Sequence, residues 1–487
     1  MSSARALDPL TPVLVGAAAV QQRASDPETA REPVQLMIDA LERAADRAGA
    51  RDLLARADSI RVPRGFWSYP DPGRIIAQAV GATSARTELD EIGVLQTTLF
   101  GDAARAILAG RAEVVLIAGG EARDRERVFA RAGRTPSYTT QPAGTAPDAL
   151  RAPADDILHS LEIERGIAMP VQQYAMIENA LRARDGLTIA AHRATIAALW
   201  AGMSRVAAEN PLAWSRRAVA AEEIAASSPS NRMIAFPYGK LHVSQWNVDQ
   251  AAGSILCSVA AARRAGVPEE HWVFPLAIVD SNHMLPLIER AEIAASPGFR
   301  IAAARALDAA GLDLGDVPLL ELYSCFPVAV RLQMREIGVA PERAVTATGG
   351  MAFAGGPLNN FVLQAVACMC EQMSAGLGES AMITAVSGML TKQGVSLWGR
   401  RPPERGFRFE DVSAEVARAA TAVTVDAGYS GPARVATYTV LHEDGEPRRA
   451  VVLCDTPGDA RALAVIDSAA EARALEGEEG IGRTIRI

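Results

Sequence analysis

The sequence contains little cysteine and no long apolar segment. Its 487 residues include five cysteines, and an odd number spread over so long a chain argues against a disulfide framework. Cys368 and Cys370 lack a matching second pair, so no zinc site is predicted. No run of about 18 apolar residues occurs, which predicts that no helix crosses a membrane. The segment from Met1 to Asp8 does not resemble a secretory signal, and we expect a cytoplasmic protein.

An excess of positive charge is also missing. The formal net charge is −8 and the isoelectric point is near 5.5, so neither nucleic acid nor a membrane surface is predicted as a partner. Hydrophobic residues make up 49% of the chain, enough for a large core. At roughly 150 residues per domain, the length suggests about three domains.

The chain is rich in alternating apolar strands and alanine-rich helices. Strands are predicted at residues 12–20, 59–62 and 113–120, and helices at 34–50 and 101–109. The order recurs later, with helices at 299–310 and 360–375 and strands at 319–322 and 380–386. Two similar halves indicate an internal duplication and a layered α/β architecture.

Two further regions differ from these halves in residue composition and hydrophobic pattern. Residues 123–241 interleave arginine with acidic residues and continue as polar helices, which predicts a large insertion of the kind that often carries binding sites. After the proline-rich linker at 399–406, alternation at 433–441 and an Asp444-Gly445 turn predict a β-hairpin in a small β domain. The predicted domains are 1–122, 123–241, 242–400 and 405–487.

Several motifs carry a family resemblance. Glu321 begins Glu-Leu-Tyr-Ser-Cys-Phe-Pro, Thr348 begins Thr-Gly-Gly-Met-Ala-Phe-Ala-Gly-Gly-Pro-Leu-Asn-Asn, and Phe236 begins Phe-Pro-Tyr-Gly-Lys-Leu. Together they resemble bacterial thiolase-like proteins, often labelled acetyl-CoA acetyltransferases, over about residues 10–400. The region after 405 resembles the OB-like extra domain of the type 1 group.

The resemblance implies a duplicated α-β-α-β-α layered core with the helices at 103–109 and 360–375 in its central layer. It also implies a helical insertion, or loop domain, and a small C-terminal β-barrel. A coenzyme A thioester of lipid metabolism is the implied substrate or ligand, with no metal and no covalently bound cofactor. A monomer and a homodimer both fit.

The three catalytic positions of a thiolase are vacant in this sequence. A thiolase nucleophile is a cysteine at a helix N-terminus, where the helix dipole favours the thiolate, and the resemblance places it near Gly93. The Gly-His-Pro turn that supplies the base reads Gly355-Gly356-Pro357 here, and the second cysteine is missing at Ser387-Gly388. Acyl-cysteine chemistry is therefore not expected.

Tyr323 and Cys325 are the candidates to replace that chemistry. Thiolase-like retro-aldolases lack the cysteine yet cleave or form C–C bonds beside a thioester, so the resemblance suggests Tyr323 as a general acid/base. A phenol with a pKa near 10 needs help from donors or positive charge to act as a base. Structural roles stay open, with Tyr323 as a half-buried residue at a strand end and Cys325 in the core.

The remaining candidates form a thioester pocket and a coenzyme A surface. The pocket comprises Gly93, Gly355, Gly356, Asn359, Ser387 and Gly388. Its glycines would let backbone N–H groups approach the thioester oxygen or would only form tight turns, and Asn359 would donate to that oxygen or, as we favour, cap the next helix with Asn360. Arg123, Arg232 and Trp214 are the candidate coenzyme A contacts, unless the arginines belong to a solvated charged face.

Two functions remain open from the sequence. The first is an enzyme that acts on acyl-CoA thioesters without acyl-cysteine chemistry, with aldolase-like C–C cleavage or formation as one form. The second is an acyl-CoA-binding or lipid-binding module without catalysis.

Overall fold

The computed structural model describes residues 7–487, so most of the Met1-to-Asp8 segment lies outside it. In the first part of the chain, apolar strands alternate with helices that bury one face, as the hydrophobic spacing predicts. These elements are β1 (Pro12–Gln21), α1 (Pro33–Ala48), α2 (Asp52–Ala55), β2 (Ser59–Pro63), α3 (Pro72–Val80), β3 (Arg86–Asp90), α4 (Gln96–Leu108) and β4 (Val114–Ala122).

The insertion is built mainly of helices whose polar residues lie inside the molecule. Every residue from Gln173 to Arg182 is buried, because the charged groups among them are paired. The carboxylate of Glu178 accepts hydrogen bonds from His192 and Tyr238 and pairs with Arg331. The elements are α5 (Arg123–Arg131), β5 (Ala149–Arg151), α6 (Ser160–Glu164), α7 (Pro170–Arg184), α8 (Ile189–Glu209), α9 (Ala221–Ala225), β6 (Met233–Ala235) and β7 (Tyr238–Gly239).

The last part of the core repeats the alternation, and a β-rich segment follows it. The core elements are β8 (Asp249–Ser258), α10 (Val259–Arg264), β9 (Phe274–Ser281), α11 (Pro297–Ala310), β10 (Leu319–Glu321), α12 (Pro327–Ile337), α13 (Phe361–Ser374), β11 (Ser380–Ser387) and β12 (Lys392–Gly399). The C-terminal elements are β13 (Arg408–Asp411), α14 (Ser413–Ala419), β14 (Pro432–Glu443), β15 (Glu446–Asp455), β16 (Arg461–Ile466), α15 (Ala469–Gly477) and β17 (Thr484–Arg486).

Two mixed sheets sandwich a pair of central helices. The first sheet has the order β1-β8-β4-β2-β3-β5 and the second has the order β10-β11-β12-β9-β13. Helix α4 packs against β8 and β1 of the first sheet and against β9 and β12 of the second, and α13 lies between β1, β8 and β11. Most residues of both helices are buried. The layered α/β prediction is confirmed, and both helices occupy the central layer.

Two predicted boundaries lie elsewhere in the structure. Strand β8, placed in the second half by the boundary at 242, pairs with β1 and β4 of the first sheet. The break predicted at 405 comes too early, because β13 pairs with β9 of the second sheet. Both boundaries differ for the same reason. The composition of a segment indicates where a loop lies, but it does not identify the strand with which the next strand pairs.

The C-terminal β-hairpin is present, but it belongs to an open sheet and not to a barrel. Asp444 and Gly445, both with positive φ, form the turn between β14 and β15. The sheet has the order β16-β15-β14-β6-β7, with β17 on β14. Two of its strands come from the insertion, so this sheet is shared between the insertion and the C-terminal segment.

Candidate functional site

The first turn of α4, where the resemblance places a nucleophile, is polar and contains no cysteine. Leu95 precedes the helix and Gln96 begins it. The hydroxyls of Thr97 and Thr98 donate to Asp280 at 2.6 and 2.7 Å. Burial raises the pKa of Asp280 to about 7, although these two bonds act in the opposite direction. The carboxyl group therefore ties the start of α4 to the end of β9.

Lys392 joins the Gly93 loop to the turn at Ser387 and Gly388. Its Nζ donates to the Gly93 carbonyl at 2.6 Å, and a Cβ on Gly388 would lie 3.2 Å from Lys392 Cγ. The side chain is buried, which lowers its pKa, and the charges of Asp155 and Asp280 oppose that shift. The two loops therefore meet around a buried ammonium group. No pattern in the sequence indicates this contact, because Lys392 is an ordinary residue at the start of a strand.

Backbone strain is concentrated in these loops. Met389 and Leu390 have φ angles of 51° and 75°, and Leu358 has 42°. Residues other than glycine rarely adopt this left-handed backbone conformation. Such conformations persist where the surrounding structure imposes them, and they cluster at functional sites.

Gly356 is not a free donor for a thioester oxygen, contrary to one of the predicted roles. Its N–H donates to the Gln245 carbonyl at 2.9 Å. The space beside Gly355, which has φ of 109°, is filled by Gln250, whose Oε1 would lie 2.1 Å from a Cβ. These glycines therefore permit tight packing of the turn.

Asn359 and Asn360 do not cap α13, so the favoured capping role is wrong. Asn360 precedes the helix but makes no side-chain cap hydrogen bond. The Asn359 Oδ1 accepts from Gln96 Nε2. Among the described residues, Asn359 Nδ2, both polar atoms of the Asn360 side chain and Gln96 Oε1 are buried without a hydrogen-bond partner. Buried amides are rarely left unpaired, and here the unpaired ones gather between the starts of α4 and α13.

Tyr323 and Cys325 lie together in an aromatic cluster. Tyr323 is 9% exposed, more buried than expected, and its ring packs edge-on against Phe361 with 5.7 Å between centroids. Burial raises its pKa above the ordinary value, as does the neighbouring Cys325. Burial raises the pKa of Cys325 to about 12, against a lowering contribution from the Tyr174 hydroxyl. Both groups are therefore protonated at neutral pH.

The three predicted coenzyme A contacts have different surroundings. The backbone N–H of Trp214 donates to the Ala354 carbonyl at 2.9 Å, and its ring is covered by Arg23, whose guanidinium carbon lies 3.4 Å from the ring centroid. Because Arg23 covers it, this face of the Trp214 ring is not available for stacking with a ligand. Arg232 is exposed, and its carbonyl accepts from the Lys240 N–H.

Arg123 lies on an exposed aromatic surface that the sequence did not reveal. Its guanidinium carbon lies 5.3 Å from the ring centroid of Phe66 and 5.6 Å from that of Trp246. Phe66 is 46% and Trp246 38% exposed. Trp246 follows Gln245, the partner of Gly356, so this aromatic platform borders the glycine turn. One sequence cannot show which aromatic rings face solvent, so Phe66 and Trp246 could not be singled out.

Comparisons with known proteins agree with this architecture. Residues 411–487 match the family model described as the thiolase-like protein type 1 additional C-terminal domain. The whole chain is similar to a monomeric SCP2-thiolase-like protein type 1 from Mycobacterium smegmatis, with 29% identity, a TM-score of 0.82, and coverage of 99% of this chain and 97% of the other. The chain has a thiolase-like fold and carries the additional C-terminal domain of the type 1 group.

More distant matches share the fold of this thiolase-like protein. An Ltp2-ChsH2(DUF35) aldolase is 19% identical with a TM-score of 0.61, covering 81% of this chain and 99% of the other. An acetyl-CoA acetyltransferase from Syntrophomonas wolfei is 18% identical with a TM-score of 0.56, covering 80% and 98%. No curated protein matches. Within residues 7–487, no helix is long and apolar enough to span a membrane.

Proposed function

We propose that this thiolase-like protein binds acyl-CoA thioesters at the buried amides between α4 and α13. The observation that carries the proposal is the set of unpaired groups on Gln96, Asn359 and Asn360, which lies where the resemblance places the thioester. A thioester carbonyl would accept a hydrogen bond from Asn359 Nδ2, and the low local dielectric would strengthen that bond.

The aromatic platform of Phe66, Trp246 and Arg123 is the proposed coenzyme A contact. Adenine would stack on the exposed rings, and Arg123 would pair with a phosphate. Lys240 adds a second cation: its Nζ donates to Gln245 Oε1 at 3.1 Å, on the residue next to Trp246. The platform thus borders the Gly355-Gly356 turn, while the amides lie just beyond it at Asn359.

The proposed chemistry proceeds without an acyl-enzyme, because α4 begins with glutamine where a cysteine would be needed. C–C bond formation or cleavage beside the thioester is the reaction class that fits, and one structural relative is named an aldolase. In the bond-forming direction, the α C–H bond of the thioester would break as the C–C bond forms, with its proton passing to water. Tyr323 would give its phenol proton to the carbonyl oxygen that becomes the β-hydroxyl and would then be reprotonated from solvent. The raised pKa of Tyr323 suits a proton donor at neutral pH and disfavours a base.

A specific observation favours the second candidate, an acyl-CoA-binding module without catalysis. Within residues 7–487, the Tyr323 hydroxyl has no hydrogen-bond partner, and the charged or polar neighbour that shifts its pKa is Cys325 and not a cation. Nothing in this arrangement activates the phenol before a ligand arrives. The two candidates share the binding site and differ only in turnover.

Substitution of Asn359 tests the binding site. Asn359→Asp keeps the shape but removes the amide donor, so we expect acetoacetyl-CoA to bind on the order of 10-fold more weakly or worse. Free coenzyme A has no thioester carbonyl and should bind as it does to the parent. Calorimetry measures both affinities, with the exposed Asn282→Asp as the matched control. If the parent and Asn359→Asp bind acetoacetyl-CoA with equal affinity, the Asn359 amide does not contact the thioester.

Substitution of Tyr323 separates catalysis from binding. Tyr323→Phe removes only the hydroxyl, so a proton-donating role predicts a loss of about 10²- to 10⁴-fold in turnover of β-hydroxyacyl-CoAs with nearly unchanged affinity. Turnover within a few-fold of the parent excludes Tyr323 as the proton donor. Parent protein that binds these thioesters but never turns them over establishes the binding module.

A further inference from the structure

A cavity of 320 Å³ lies between the core and the C-terminal segment, and none of the proposed thioester amides lines it. Its walls come from the segment before α11, from the Leu390–Gln393 stretch and from the end of α14. At about 30 Å³ per water molecule, it has room for about ten waters or one small organic molecule. The apolar part of the wall consists of Leu285, Pro297, Leu390, Val416, Ala419 and Ala420.

Arg290 lines this cavity as a buried cation without a counter-charge. It is 4% exposed, and its guanidinium donates only to two backbone carbonyls, those of Leu285 at 3.0 Å and Gly388 at 3.3 Å. No carboxylate lies within ion-pair distance of it among the described residues. Burial lowers the pKa of Arg290 to about 10, so the group still carries its charge at neutral pH.

The other buried arginines show how unusual this is. In residues 7–487, five arginines are less than a tenth exposed. Three of them, Arg61, Arg182 and Arg461, pair with carboxylates. Arg125 lies over the rings of Phe129 and Tyr138. Arg290 has neither kind of partner, and an unpaired buried charge is costly.

Nearby acidic groups are already engaged or face solvent. Glu162, whose charge favours the ionised form of Arg290, accepts hydrogen bonds from Ile288, His159 and Gln173. On the cavity wall, Glu336 accepts from the Ser296 N–H and approaches the exposed Arg300, and Glu292 is exposed. The charge of Arg290 is therefore open to a ligand.

We infer that this cavity binds a small aliphatic monocarboxylic acid, with its carboxylate on Arg290 and its chain against the apolar wall. Three arginines and two glutamates line the cavity, Arg184, Arg290 and Arg300 against Glu292 and Glu336, so one net positive charge remains, which favours a monocarboxylate over a phosphate dianion. Guanidinium and carboxylate groups also match in geometry and form charge-assisted hydrogen bonds. None of the proposed thioester amides lines this site, and the inference does not depend on thioester binding.

The C-terminal segment completes this site. Val416 and Ala419 of α14, with Ala420 and Thr421 after it, form one wall, and they fall within the additional C-terminal domain. The Ala291 N–H donates to the Thr421 carbonyl at 3.0 Å, which holds this wall against the residue after Arg290. By forming one wall of the carboxylate site, the additional domain would take part in ligand binding.

Calorimetry with hexanoate tests the inference, and hexanamide serves as the uncharged probe of the same shape. The full-length protein should bind hexanoate at millimolar concentrations or better, and hexanamide on the order of 10- to 100-fold more weakly. Arg290→Gln should lower the hexanoate affinity to that of hexanamide, whereas Arg418→Gln, at an exposed arginine of α14 outside the cavity, should leave it unchanged. No hexanoate binding, equal binding of both probes or full affinity in Arg290→Gln would overturn the inference.

A second pair of variants, one of which fills the cavity, tests the inference if Arg290→Gln does not fold. Ala419 and Ala417 are both exposed on α14, but only Ala419 lines the cavity. Ala419→Trp should abolish hexanoate binding and Ala417→Trp should leave it intact, with thermal unfolding confirming that both variants fold. Equal hexanoate affinity in the two variants, or tighter binding of inorganic phosphate than of hexanoate to the parent, contradicts the assignment.

Discussion

At the scale of single residues, Glu178 shows how buried charge holds the insertion to the core. The carboxylate is fully buried and takes a 2.9 Å bond from His192 Nε2 and a 2.7 Å bond from the Tyr238 hydroxyl. Arg331 of α12 pairs with it from the second half of the core. Burial alone would raise the pKa of Glu178, but these partners outweigh it and bring the pKa to about 2.

Removing this charge should destabilise the fold. Glu178→Gln leaves Arg331 without one of its carboxylates, and breaking a buried pair costs about 3–5 kcal/mol. A carboxyl group whose pKa is lower in the folded state contributes its stability above the unfolded value near 4.5 and loses it as the pH falls toward 2. Urea unfolding at several pH values should show the full difference at pH 7 and a shrinking one in acid.

The exposed pair of Glu223 with Arg217 provides the control. Glu223→Gln should unfold like the parent, since surface ion pairs contribute little. A Glu178→Gln protein as stable as the parent at pH 7 would contradict the anchoring role.

The roles of single residues were harder to predict from the sequence than the secondary structure. Tyr323 and Cys325 could be singled out from a motif, but their burial among Phe361 and Tyr174 depends on packing between distant segments. Lys392 and Arg290 carried no signal, because their significance lies in what surrounds them: a carbonyl at 2.6 Å in one case and a missing carboxylate in the other. Asn359 looked like a helix cap because asparagine is common there, and only the geometry shows an unpaired amide.

At the scale of elements, the short strand β5 protects the edge of the first sheet. It pairs in parallel with β3, Leu150 opposite Leu89, and the Glu91 N–H donates to the Arg151 carbonyl at 2.8 Å. An uncovered edge strand is a template for pairing with another chain. We therefore expect no dimer to form through this edge of the sheet.

Uncovering that edge should promote self-association. Leu150→Pro removes a backbone donor from β5 and disfavours its pairing, so light scattering should show a concentration-dependent rise in mass. Leu150→Lys changes only an exposed side chain and should keep the mass of the parent. A parent protein that already dimerises through this edge, or a Leu150→Pro variant that keeps the mass of the parent with β5 detached, would contradict this role.

Elements themselves were largely predictable. Strands such as β1 and β4 and helices such as α1 and α11 lie within a few residues of their predicted bounds, because their apolar spacing is strong and local. Pairing was not predictable: β8 joins the first sheet and β13 the second, through partners distant in sequence. The same limit explains why the C-terminal hairpin was found while its sharing of a sheet with β6 was not.

At the scale of the whole molecule, a thiolase-like frame surrounds a site with amides and a phenol in place of cysteines and histidine. The frame positions α4, α13 and the turn at Gly388 around one point, and strain in Leu358 and Met389 marks two of the converging loops. Strand β13 extends the second sheet where the additional C-terminal domain begins, and α14 of that domain lines the cavity at Arg290. Binding of a thioester without covalent attachment is the central claim.

Incubation of the protein with acetoacetyl-CoA, followed by calorimetry and intact-mass measurement, tests that claim most directly. We predict saturable binding at millimolar concentrations or better and a chain mass that stays that of the unmodified protein, since no cysteine occupies the start of α4. Absence of binding, or a chain heavier by one acyl group, would contradict it.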